Sequence, residues 1–279
     1  MKKLLLIFFL FFSALSAQNS LESIRAKADS LYKSGNYFDA ITEYKRLRFF
    51  AELTNSPSEY SYYSNFMIGK SYKAGARFDD AVKYFFKASL DADDRGKEFR
   101  TKIEMIKVNI LRGTLARADE IIEEIEKDER FGDKRDSLNY WRAWINIFND
   151  KWDEAYRILK ENQLSYDMQR VCRNVIEQKY SVTFAKTISY IVPGSGLIYT
   201  GNYLQGFMSL GYNLLFGYFT AEAFAAERIF DGMTNGALLW LRFYRGNIQA
   251  AERNAYKRNK EIYNKALAYF QLNYDGAKP

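Results

Sequence analysis

The stretch Gly69-Lys70-Ser71-Tyr72-Lys73-Ala74-Gly75-Ala76-Arg77-Phe78-Asp79-Asp80-Ala81-Val82-Lys83-Tyr84-Phe85-Phe86-Lys87-Ala88 sets Phe78 three residues before Ala81 and Phe85 four after it. On an α-helix these spacings put the large side chains on one face, with the alanine where a neighbouring helix can approach closely. The same triplet recurs as Tyr37/Ala40/Tyr44, Leu115/Ala118/Ile122 and Trp152/Ala155/Leu159, with alanines 41, 37 and 37 residues apart. Periods of this length signify stacked helix pairs. No strand-period alternation competes, so the chain is expected to be all-α.

Gly69, Tyr72, Phe78, Ala81, Phe85 and Ala88 fall where a tetratricopeptide repeat places its small and aromatic residues, and residues 18–165 resemble that family. Gly35 precedes Tyr37 in the first copy, and Ala143 takes the small position of the fourth; Ile106 in the third departs from the pattern. The resemblance implies a solenoid of helical hairpins with a concave face for a protein or peptide partner. It also puts Arg25, Tyr32, Tyr63, Phe66, Lys70, Lys73, Lys107, Tyr140 and Trp144 on the first helices of the pairs, toward that face. Each of these has the alternative of packing between repeats. Pro57 marks the boundary between the first two copies, and residues 166–184 read as a capping helix or linker.

Beyond that point the composition changes. No charged side chain occurs in the thirty-five residues from Thr187 to Ala221, and nine of the sixteen glycines fall between positions 194 and 246. A bilayer-crossing helix needs about 20 apolar residues, and small residues are common at helix contacts in membranes. Residues 185–246 are therefore expected to form a membrane module, with Phe207–Ala226 as its best transmembrane candidate and Asn213 and Glu222 as its costly members. Residues 247–279 read as a basic amphipathic helix with Ile248, Ala251, Ala255, Ile262, Ala266 and Phe270 on one stripe, interrupted by Asn259.

Near the start of the uncharged run stands Pro193-Gly194-Ser195-Gly196-Leu197-Ile198-Tyr199-Thr200-Gly201. Pro193 breaks a helix and the glycines permit a tight turn, which predicts a bend. Pro193, Gly194, Gly196, Tyr199 and Gly201 resemble the Pro-Gly-x-Gly-x-x-Tyr-x-Gly signature of small bacterial membrane modules that are sometimes fused to tetratricopeptide repeats. That resemblance implies no chemistry. A phosphate cradle is disfavoured, because no strand precedes the glycines and no Lys follows them.

At the other end, Lys2 and Lys3 precede an apolar stretch and the small residues of Ser13–Ala17, the layout of a secretory signal peptide over residues 1–17. An uncleaved anchor is the alternative. With one cysteine, Cys172, the chain cannot build a disulfide framework and must rely on packing. The net charge of +7 concentrates in Lys2, Lys3 and the segment Arg242–Lys265. A basic stripe beside a membrane-like segment fits anionic headgroups better than nucleic acid.

Catalysis loses most of its candidates because the chain contains no histidine, which excludes Ser-His-Asp and Cys-His pairs and His-ligated metals. Asp91, Asp93 and Asp94 resemble a calcium loop, but Arg95 and Lys102 occupy positions that need oxygen ligands. Glu120, Glu123, Glu124 and Glu126 read as a solvated helix face. No metal or other cofactor is expected. The expectation is a non-catalytic scaffold of the bacterial cell envelope, with its repeats in the periplasm, anchored in the inner membrane and recruiting a protein or peptide partner. The alternative is an embedded accessory component of envelope assembly or transport whose repeats only recruit.

Overall fold

A computed structural model describes residues 21–54 and 58–279, all in helices and their connections, with no strand among them. The proposed signal peptide and the Pro57 boundary lie outside the described residues. The chain divides into two compact units: the described residues up to Tyr166 together with Gly276–Pro279, and Asp167–Asp275.

The first unit contains four helix pairs: α1 (21–33) with α2 (Tyr37–Leu53), α3 (Ser58–Ala74) with α4 (Phe78–Leu90), α5 (Arg95–Arg112) with α6 (Leu115–Glu126), and α7 (Arg135–Phe148) with α8 (Trp152–Glu161). Each apolar triplet begins the second helix of its pair. Tyr37, Phe78, Leu115 and Trp152 are the first residues of α2, α4, α6 and α8, and Ala40, Ala81, Ala118 and Ala155 are fully buried. From α2 to α8 each helix packs on the next in sequence, and α3, α5 and α7 touch as successive first helices, giving a repeat-like helical array. Close packing is specific at the joints: a Cβ on Gly69 of α3 would stand 2.8 Å from the Phe85 ring of α4. Ile106, the departure in the third copy, is fully buried.

Each pair is closed by the same turn. Two residues before the second helix the backbone turns left-handed, at Gly35, Ala76, Gly113 and Asp150, with φ between 56° and 81°. The next residue donates its N–H back across the helix end, as Thr114 does to the Asn109 carbonyl at 2.9 Å. This is the Schellman closure, which satisfies carbonyls that the helix end leaves open.

The second unit contains α9 (Tyr166–Gln178), α10 (Val182–Ile191), α11 (Ser195–Tyr199), α12 (Tyr203–Ala225), α13 (Ile229–Thr234), a π-helical segment (Asn235–Trp240) and α14 (Leu241–Asn273). The basic helix does not begin at residue 247. It runs on without a break from the π segment, and α12 folds back against this continuous stretch, stacking Phe216 on Phe243 with ring centres 5.1 Å apart. The loops before α12 and α13 repeat the left-handed closure, at Gly201 and Glu227.

The expected membrane crossing requires correction. No helix among the described residues is long and apolar enough to span a membrane. α12 has the length, about 34 Å for 23 residues. Its hydropathy is diluted by Gln205, Ser209, Asn213, Thr220, Glu222, three glycines and three tyrosines. An absence of charge over thirty-five residues is not the same as apolarity.

Candidate functional site

On the first-helix face of the repeats, the nine residues singled out above fall into distinct settings. The Arg25 guanidinium lies 4.2 Å from the centre of the Tyr63 ring. The Tyr63 and Tyr44 hydroxyls both donate to Oδ1 of Asp29, at 2.6 and 2.7 Å. Burial and the bond to Asp29 push the Tyr63 phenol up to about 12, so it stays a donor. Lys70 sits over the Tyr32 ring.

Lys73 and Lys107, on α3 and α5, each place Nζ 2.8 Å from a different oxygen of Glu104. Burial works to raise the Glu104 carboxyl, but the two cations hold it below its usual range. Burial lowers the Lys73 ammonium, because a carboxylate shared with Lys107 offsets its desolvation only in part. Lys107 also lies 4.9 Å from the Trp141 ring centre. Phe66 and Trp144 are buried, Phe66 against Tyr62 and Phe85 and Trp144 beside Phe148, so both serve packing. The Tyr140 hydroxyl donates to the Ala277 carbonyl within the same unit.

Beside this cluster opens a cleft of about 580 Å³ lined by Phe99, Arg100, Glu104, Lys107, Lys134 and others. Sequence reasoning missed Asp29, Glu104, Trp141 and Arg100. Glu104 stands three residues before Lys107, the spacing of a helical ion pair, and that was the available signal for it. Asp29, far from Tyr44 and Tyr63 in the chain, carried none.

The glycine signature is a packing knot. Gly194 adopts φ 91°, and a Cβ there would run into the Gly206 backbone; one on Gly196 would strike the Ala185 carbonyl and the Ser189 hydroxyl. The Gly194 N–H donates to Oδ1 of Asn247 at 2.7 Å, Asn247 Nδ2 donates to the Ser189 carbonyl, and the Gly196 N–H donates to Ser189 Oγ. Farther along α14, Asn254 donates to Thr200 Oγ1 at 2.6 Å, and Asn259 bonds both the N–H and the carbonyl of Tyr180. Tyr199 packs edge-on to Tyr180 and Phe184, and its hydroxyl accepts the Ser181 N–H. Gly201 forms the left-handed turn into α12. With the backbone groups at 194 and 196 satisfied from within the chain, the loop does not present an empty anion cradle. Asn259, read as an interruption, is one rung of an asparagine ladder running with the alanines of α14.

The carboxylates considered for chemistry take structural roles. Asp94 caps α5 by accepting the Lys97 N–H, Asp93 pairs with Lys97 at 2.7 Å, and Asp91 accepts from Asn65. Glu120 and Glu124 share Arg117, while Glu126 pairs with Arg142. No metal-holding cluster of these residue types occurs among the described residues. Cys172 is buried, and burial pushes its thiol up to about 12. Compared with protein-family models, curated proteins and solved structures, the chain shows no match.

Proposed function

We propose that this protein is a non-catalytic adaptor of the bacterial envelope: the repeat unit captures a protein or peptide partner on its first-helix face, and the second unit holds it at a lipid surface without crossing it. The observation that carries the reading is the apolar surface of the second unit. On α12 and α13, Leu204 is 74% exposed, Leu214 66% and Phe230 81%, with Phe207, Tyr218 and Ile229 also well out in solvent. Proteins rarely leave contiguous apolar patches of this kind uncovered unless something docks there. A face too polar to cross a bilayer but too apolar to stay wet suits the interface between headgroups and acyl chains. The capture role rests on Lys70 and Arg100, basic side chains beside the Glu104 cluster that carry no ion pair among the described residues.

Two measurements test the reading. The full chain is expected to float with phospholipid vesicles in a density gradient; a protein left at the bottom with every vesicle composition refutes the lipid role. Lys70→Glu with Arg100→Glu should abolish in-cell crosslinks to envelope proteins at unchanged helicity. Lys73 and Lys107 are unsuitable for reversal because both hold Glu104. Retained crosslinks in the double variant would remove the basic face from the mechanism.

A further inference from the structure

Between α12 and the start of α14, wholly inside the second unit, lies a cleft of about 890 Å³. The two helices run antiparallel, so its walls change along its length: Ala237, Leu241 and Tyr212 lie toward one end, Arg242 and Arg245 come next, and Gln205 and Gln249 lie toward the other. Neither guanidinium has a carboxylate partner among the described residues, whereas Arg228 pairs with Glu222 and Arg258 with Glu261 in the same unit. Beyond the apolar end, Leu215 lies one turn past Tyr212 on the same side of α12 and is 46% exposed. The sequence apolar wall, paired guanidiniums, neutral amides matches the order acyl chain, phosphate, polar headgroup. Arginine is suited to the phosphate because its planar fork engages two oxygens at once.

We propose that this cleft seats one anionic phospholipid, with its phosphate between Arg242 and Arg245 and an acyl chain along Tyr212 and Leu241. The proposal rests on the reading that this face meets lipid, and it adds which lipid and how the hairpin lies. From Tyr212 to the charged tip at Glu222 and Asp231 the helices cover about 15 Å, half the hydrocarbon thickness of about 30 Å. Arginines and acidic tip both reach the headgroup level only when the hairpin lies along the membrane surface, its apolar band dipping between them.

The test uses the full chain with vesicles of phosphatidylcholine alone or doped with phosphatidylglycerol. It compares the wild type, Arg242→Gln/Arg245→Gln, and a control pair, Arg253→Gln/Lys257→Gln, which removes the same charge from α14 outside the cleft. Doping is expected to tighten wild-type binding roughly thirtyfold, about fivefold for each arginine near the surface. The cleft variant should lose that gain and keep its binding to phosphatidylcholine, while the control pair should keep most of it. Glycerol phosphate in solution should not displace the protein. Equal binding to both vesicle types, or equal loss in the control pair, overturns the cleft and leaves the lipid reading standing. Displacement by glycerol phosphate, or a lipid-free dimer that vesicles do not dissociate, also overturns it. Binding to neither vesicle overturns the lipid reading itself.

Discussion

Glu104 shows how a single residue can organise a face that lysines alone would make unstable. Lys73, Glu104 and Lys107 keep only 12–18% of their side-chain surface, so three charges are largely desolvated and the carboxylate binds two cations. Glu104→Gln leaves both lysines with a neutral amide, and removing one partner of a buried pair costs several kcal/mol; with this residual exposure about 2 kcal/mol is expected. The pH dependence has a definite sign. A carboxyl held below its unfolded value of about 4.3 contributes stability that is complete above that value and is lost as pH falls through the depressed folded one. Urea unfolding at neutral and at acid pH should show the wild type losing this contribution and Glu104→Gln showing no such loss; parallel curves would refute the coupling. The family resemblance put Lys73 and Lys107 on first helices, but the sequence did not reveal the partner they share. A glutamate among isoleucines reads as a solvent-facing residue until the neighbouring helix brings a second cation to it.

At the scale of elements, what could be read from the chain was the pattern that repeats, and what could not was the exception each fold makes to it. The four triplets gave the repeat and its buried alanines, because a small residue between large apolar ones at these spacings suits close helix packing, and the structure sets each at the start of α2, α4, α6 or α8. Gly35 and Gly113 announce their left-handed turns, but Ala76 and Asp150 make the same turn without the residue that favours it, since the helix pairs on either side over-determine the connection. The ladder on α14 was hidden for a related reason: asparagine on an apolar stripe looks like a break. Asn247 is 4% exposed and serves a backbone donor and a backbone acceptor at once. Asn247→Ala strands both, and each unsatisfied buried group costs about 1–3 kcal/mol. Asn254→Ala, at a half-buried position with one bond, should cost markedly less. Denaturant midpoints of the two variants check this, and equal midpoints would mean that the knot is held by its glycines alone.

For the whole molecule, the uncharged run takes its meaning from what it lacks besides charge. From sequence, Thr187–Ala221 reads as a bend at Pro193 followed by one membrane span, whereas the structure divides it into a glycine knot, locked by α14, and one leg of a hairpin whose outer side chains are exposed. This division separates stability from lipid attachment and allows the two to be measured apart. Leu204, Leu214 and Phe230 sit outside the packing, so changing all three to Ser should shift unfolding by no more than about 0.5 kcal/mol each, as surface substitutions do. If those side chains enter lipid, each contributes roughly 1.5–3 kcal/mol of transfer free energy when buried, and flotation should fall by at least about tenfold per residue. A triple variant that melts like the wild type and no longer floats is the expected result. A variant that floats unchanged would place the lipid contact elsewhere on the chain, and one that melts early would mean that these residues support the hairpin rather than face out from it.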